Sequence, residues 1–419
     1  MQENAIEEAN MWNFFKKHSW LLIVLAILVL FPQSLSNQAK LSMKTIIPGI
    51  AIDRVDEGFE TTALVVTPTR GSESGGGQLR ATYISEKGKT IAEAIEKLGF
   101  VMGKSAGLAN LNYILLGNSM MQDNLAGQLD YFVRDKKTSN SILVLACSGD
   151  AKEEIKKTEK LEASTGIGLQ KVYLYKQEST NGYMMPIMEV ANSVYGKSKA
   201  CLINNFTIEE TKQSEESQGS SGGGSSAESG GSIDKPDGRI KYLDKLTCLV
   251  GGVKVGELES DEEILGYLIM DKNTKEASIN LGEIEFKNEK ANNFNIKYYG
   301  KKVNKSIDVK NGEFTINVKL HLDDVKLRCL NSSEAPSLDY YKESNKEFEE
   351  KIKEKIREVI DKNIQAAFLK GKEIGCDIFK LSDLLYQYRY EDWKKHIEND
   401  NNYLDKIKIK THITIDKLT

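Results

Sequence analysis

The sequence predicts an α+β protein of more than one domain, with antiparallel or mixed sheets each covered by helices. Three observations carry this: strands of strict period-two alternation in the second half, one long helix with apolar residues at spacings of three and four, and interleaved strand-like and helix-like pieces in the first half.

Taken in order, the first element is an uncharged run, WLLIVLAILVLF at 20–31, directly after Lys16 and Lys17. Its length is that of a signal-peptide core, and Ser34 and Ser36 are small residues suited to cleavage before Asn37. Phe14, Phe15 and Leu35 lengthen the apolar stretch, and the two lysines can snorkel, so a signal-anchor over 20–36 also fits the roughly 20 residues a span needs. Both readings stay open. In either, residues 1–19 are expected in the cytoplasm and the rest outside, because the basic residues precede the run and no second one follows.

Residues 41–211 form the expected N-terminal domain. Residues 61–67 (TTALVVT) and 142–146 (ILVLA) read as strands, and 90–98 as a helix. Thr90 and Glu93 make a capping box, Ile91, Ala94, Ile95 and Leu98 line one face, and Gly99 stands where a left-handed terminator is wanted. Residues 212–238 are rich in Gly and Ser and poor in apolar side chains, which predicts a flexible linker. The C-terminal domain, 239–419, has room for a smaller middle subdomain. Its strands alternate at Ile279 and Leu281, from Phe314 through Ile316, Val318 and Leu320 to Leu322, and from Ile407 to Ile415, so one face is buried and one wet, as in antiparallel sheet. The long helix, 344–372, places Phe348, Ile352, Ile356, Val359, Ile360, Ile364, Ala367 and Phe368 on one stripe, with Glu349–Lys353 and Glu358–Lys362 as supporting pairs.

With 57 basic and 61 acidic side chains the net charge is -4, too balanced for a nucleic-acid partner. Cys147, Cys201, Cys248, Cys329 and Cys376 are far apart and odd in number, signalling neither a disulfide framework nor a zinc knuckle, and read as small packing residues. His18, His321, His396 and His412 form no metal-binding spacing, and His321 falls on the wet face of its strand. The G-x-S-x-G at Gly219, Ser221 and Gly223 sits inside the linker with no strand before it. Gly99, Gly103, Lys104 and Ser105 are one residue short of a phosphate loop and follow a helix. Asp130, Arg134 and Asp135 read as an ion-pair cluster at a helix end. No catalytic, cofactor-binding or metal-binding residue is assigned, and no cofactor is expected.

Several segments, in order along 41–416, resemble the C subunits of spore germination receptors. They are TIIPGIAID at 45–53, the strand ending in Thr67-Pro68, GKTIAEA at 88–94, the strand 113–117, LDYFVRD at 129–135 and ACSGDA at 146–151; then CLVGGVKVGEL at 248–258 with 261–268, CDIF at 376–379 with Trp393, and the last alternating strand. The resemblance implies a non-catalytic protein of packed mixed subdomains on the outer face of the spore inner membrane, beside two polytopic receptor subunits. It also implies an acylated cysteine after the apolar run, yet residues 30–40 contain no Cys, so a retained signal-anchor takes that place. The expected role is receptor assembly or germinant perception, with direct binding of a small-molecule germinant left open. The alternatives are an exported small-solute-binding protein with a cleft between two mixed domains, and an exported hydrolase whose only candidate carboxylates are Asp130 and Asp135.

Overall fold

The computed structural model describes residues 44–68, 79–103, 105–135, 138–157, 183–210, 238–284, 292–329, 346–416 and 418. The apolar run at 20–31 and the Gly/Ser stretch lie outside them. Among the described residues no helix is long and apolar enough to cross a membrane.

The first half opens with an antiparallel meander, β1 (Lys44–Val55), β2 (Gly58–Pro68) and β3 (Leu79–Gly88), followed by α1 (Ile91–Met102). Beyond β4 (Ser105–Gly107), β5 (Tyr113–Leu116) and β6 (Leu143–Ala146) run parallel to β1, joined by α2 (Leu125–Arg134). After α3 (Ala151–Lys156), β7 (Met185–Pro186) and α4 (Ile187–Tyr195) comes β8 (Ala200–Glu210), parallel to β6. β5 and β6 are buried at every position because both faces are covered. Ile50, Ile52, Ile114, Leu116 and Val144 point into the larger core, while Ala51, Tyr113, Leu115, Leu143 and Leu145 point into a smaller one that includes Ile155 of α3.

Half of the expected capping box of α1 forms, with Thr90 Oγ1 accepting from Glu93 N at 3.1 Å, while the Glu93 carboxylate accepts from Lys89 N, one residue before the cap, instead of from Thr90 N. The helix does not stop at Gly99. It runs to Met102 and ends at Gly103, whose φ of 61° lets its N–H reach Gly99 O and Phe100 O. The extra turn is solvated, with Phe100 and Val101 exposed, so the apolar stripe of 91–98 gave no sign of it.

The Gly/Ser stretch does not mark an edge between two separate sheets. β9 (Gly238–Val250) pairs antiparallel with β8, and β10 (Val253–Leu258) pairs with β9 across a Gly251-Gly252 turn. The resulting ten-stranded sheet has the order β10-β9-β8-β6-β5-β1-β2-β3, with β4 beside β1 and β7 beside β6. Composition locates the stretch but says nothing about which strand the returning chain will pair with.

The hairpin leads into α5 (Asp261–Met270), which carries a full capping box from Ser260 and Glu263. A second sheet follows in the order β11 (Ala277–Ile284), β12 (Asn292–Lys310), β13 (Glu313–Cys329) and β14 (Ile407–Ile415). The first three are antiparallel, but β14 lies parallel to β13, with Phe314 opposite Ile407 and Leu322 opposite Ile415. The reason is the connection: α6 (Lys346–Glu373), α7 (Leu381–Tyr388) and α8 (Tyr390–His396) cross over the sheet before the chain re-enters it. α6 buries Phe348, Ile352, Ile356, Ile360, Ile364, Ala367 and Phe368, as its periodicity requires, and Val359 is half-buried. Glu349 and Lys353 pair at 2.7 Å. Lys362 does not pair with Glu358. It reaches Glu262 of α5 at 2.7 Å, while Glu358 takes Lys355. α5 lies close enough on α6 for this because of Gly266, where a Cβ would fall 1.9 Å from Asn363 O.

Candidate functional site

Some of the segments that carry the family resemblance gather at two places. At the first, the parallel strands β1, β5 and β6 end side by side, with Gly117 N donating to Ile52 O and Cys147 N to Leu116 O. Asp53, at the end of β1, accepts from Ala151 N and Lys152 N, both at 2.8 Å, and so caps the first turn of α3. Burial raises the Asp53 carboxyl, and these two backbone bonds oppose the rise. LDYFVRD lies on α2, where Arg134 and Asp130 make an exposed ion pair at 2.7 Å.

At the second place, CDIF forms a corner after α6. Asp377 is 3% exposed and accepts from Leu381 N (2.9 Å), Ser382 N (2.7 Å) and the Tyr403 hydroxyl (3.0 Å). Trp393 Nε1 donates to Ser382 Oγ at 2.9 Å, packing α8 under the same corner. Desolvation raises the Asp377 carboxyl, with the three donors pulling the other way. Lys380 precedes α7 in the left-handed conformation (φ 54°, ψ 43°), and its ammonium donates to Ser193 Oγ of α4 at 2.6 Å. Asp383, one turn into α7, accepts from Lys197 N at 2.6 Å and from the Ser198 hydroxyl at 2.5 Å. These contacts bind α7 to the turn that follows α4.

Between α4, the end of α5, β12 and α7 lies a cleft of about 620 Å³. Its wall includes Tyr183 and Tyr267, whose hydroxyls are 2.9 Å apart and whose rings meet edge to face. Burial raises both phenols well above the ordinary tyrosine value. Two lysines of β12 turn toward the helices on the same strand face as Ile307. Lys301 Nζ donates to Leu268 O (2.6 Å) and Ile269 O (2.7 Å) at the C-terminal end of α5, where a cation suits the helix dipole. Burial nevertheless pushes its ammonium down to about 7. Lys305 lines the cleft, and burial lowers it as well.

The remaining candidates behave differently. His321 and Asp323, midway along β13, join Asp416, which follows the end of β14, with one ligand atom from each within 4.8 Å of the others. His321 Nδ1 meets Thr414 Oγ1 at 2.9 Å. Sequence spacing could not show this trio, since Asp416 arrives only through the parallel pairing of β14. Gly103 is a helix terminator with no strand before it, and Gly219, Ser221 and Gly223 lie outside the described residues. Cys147, Cys201, Cys248 and Cys376 are buried and free. Desolvation pushes the thiols of Cys147 and Cys201 up to about 12, and the Cys248 contact raises Cys376, so the sulfurs of Cys147, Cys201 and Cys376 are protonated packing groups. Lys301 and Lys305 were not singled out from sequence, because KKVNKSIDVK places lysines on both faces of a strand whose pattern reads as wet, and Lys380 is a single lysine after CDIF.

The chain matches two family descriptions in succession. "Spore germination protein N-terminal domain" covers residues 37–208, and "Spore germination B3/GerAC like, C-terminal" covers residues 248–417. A solved structure described as that of the GerBC protein is similar at 16% identity, with a TM-score of 0.49, over 88% of this chain and 96% of the other. No curated protein matches. With both families matched, in order and over most of its length, the chain belongs to the spore germination receptor C-subunit family.

Proposed function

We propose that the chain is a non-catalytic C-type subunit of a nutrient germinant receptor, acting in receptor assembly or germinant perception on the outer face of the spore inner membrane. The observation that carries this reading is the ordered match of both family halves, 37–208 and 248–417. The pairing of β8 with β9 supports it, since the two matched regions then share one sheet and offer a partner a single body. The partners are the polytopic subunits of the same receptor, and the apolar run at 20–31, retained as a signal-anchor, holds the chain beside them.

The test is to tag the chain, extract spore inner membranes with detergent, and identify what co-purifies by mass spectrometry. Recovery of the polytopic subunits, with the peptide containing 20–31 still attached, is the expected result. A soluble chain that begins near Asn37 and brings down no membrane subunit overturns the proposal.

A further inference from the structure

On β12, Val303, Ile307 and Val309 pack toward the core, and Lys301 and Lys305 share their face. A lysine stem can lie along apolar surface, but its ammonium carries three donors that need acceptors or water. Lys301 finds its acceptors at the end of α5. Lys305, two strand repeats further, meets the cleft, and no hydrogen bond to its amine is formed among the described residues.

Three of the carboxylates nearby are held by other donors, Asp271 through one oxygen only. Both oxygens of Asp377 serve the corner before α7. Asp271 Oδ2 accepts from Asn273 N, Thr274 N and the Thr274 hydroxyl. Asp383 holds Lys197 and Ser198. Glu189, Lys272 and Lys380 also border the cleft. Lys380 adds a second ammonium, steered inward by its left-handed backbone and by Ser193. Lys305 has no acceptor of its own among the described residues, and the same cleft is lined by the apolar Tyr267, Met270, Ile378 and Phe379. About half of the lining is polar, and a pocket that sets oriented charges beside apolar surface suits a ligand that is itself part apolar and part ionic.

We propose that this cleft binds a small organic carboxylate, whose oxygens accept from the Lys305 ammonium while its carbon skeleton lies against Tyr267, Met270, Ile378 and Phe379. The inference is independent of the receptor reading and survives its failure.

The experiment uses the full chain in detergent and needs no variant at first. Lysines are acetylated with a limiting neutral ester, and the extent at each is read by mass spectrometry with and without benzoate, benzylammonium or inorganic phosphate. Benzoate is expected to lower acetylation of Lys305 at least fivefold, leaving the outward-facing Lys302 unchanged, with little effect of the other two. Calorimetric heat on adding benzoate should then vanish in Lys305→Gln and weaken in Lys380→Gly, where glycine preserves the left-handed backbone. Unchanged labelling of Lys305, equal protection of all lysines, or equal protection by inorganic phosphate overturns the assignment.

Discussion

Asp53 Oδ1 accepts the Ala151 N–H at 2.8 Å, joining the end of β1 to the start of α3 across 98 residues of sequence. The carboxylate is 6% exposed, and its second oxygen holds Lys152 N. Asp53→Asn keeps one acceptor and turns an NH2 toward the other amide. We expect a loss of about 2 kcal/mol in urea unfolding, the range for buried bonds to a charged group. Asp53→Ala should cost at least as much, and a loss below about 0.5 kcal/mol for both would show that the cap is not structural.

Gly266 is the contact point of α5 on α6, with no room for a Cβ beside Asn363 O. Gly266→Ala improves helix propensity by about 1 kcal/mol, yet overpacking of this kind costs about 1–3 kcal/mol. A net fall in Tm of several degrees is expected; a rise would mean that the helices slide apart at no cost.

Helix content was legible where periodicity and caps agree. Thr90 with Glu93 starts α1, and the stripe from Phe348 to Phe368 specifies α6 without any tertiary information. Strand positions were legible for the same reason, but strand direction was not. Alternation from Ile407 to Ile415 tells which side chains are inside, and is blind to whether the neighbour runs with it or against it. The cleft was less legible still. Lys305 and Asp383 come to line one cleft only after β12 and α7 have been brought together by the crossover, and nothing in their local sequence distinguishes them from wet lysines and aspartates.

The Lys301 amine titrates near 7 in the folded chain and near 10.4 when unfolded. Between those values the unfolded chain holds a proton that the folded chain has released, so this group makes stability rise with pH across the window and contributes no slope below about 6. Lys301→Met removes that contribution. Its stability relative to the parent should fall by about 2 kcal/mol between pH 7 and pH 9, measured by urea unfolding, and parallel profiles would place the amine in water.

Asp383 holds α7 to the turn after α4 through Lys197 N and the Ser198 hydroxyl. In Asp383→Ala the amide of Lys197 loses its acceptor, and we expect its hydrogen exchange to quicken at least tenfold. The stability loss should be about 1–3 kcal/mol. Exchange at Asp53-bonded Ala151, on the far side of the first sheet, should not change, which separates a local opening from general unfolding.

The parallel seat of β14 also sets a timetable. Translation delivers β13 long before β14, and everything between them, including α6, is made first. Until residues 407–415 emerge, β13 is an open edge with Phe314, Ile316, Val318, Leu320 and Leu322 in a row, the sort of strand that recruits another chain. Completion of the sheet therefore waits on the synthesis of 407–415, and a ribosome that stops short of them releases a polypeptide with its edge unguarded.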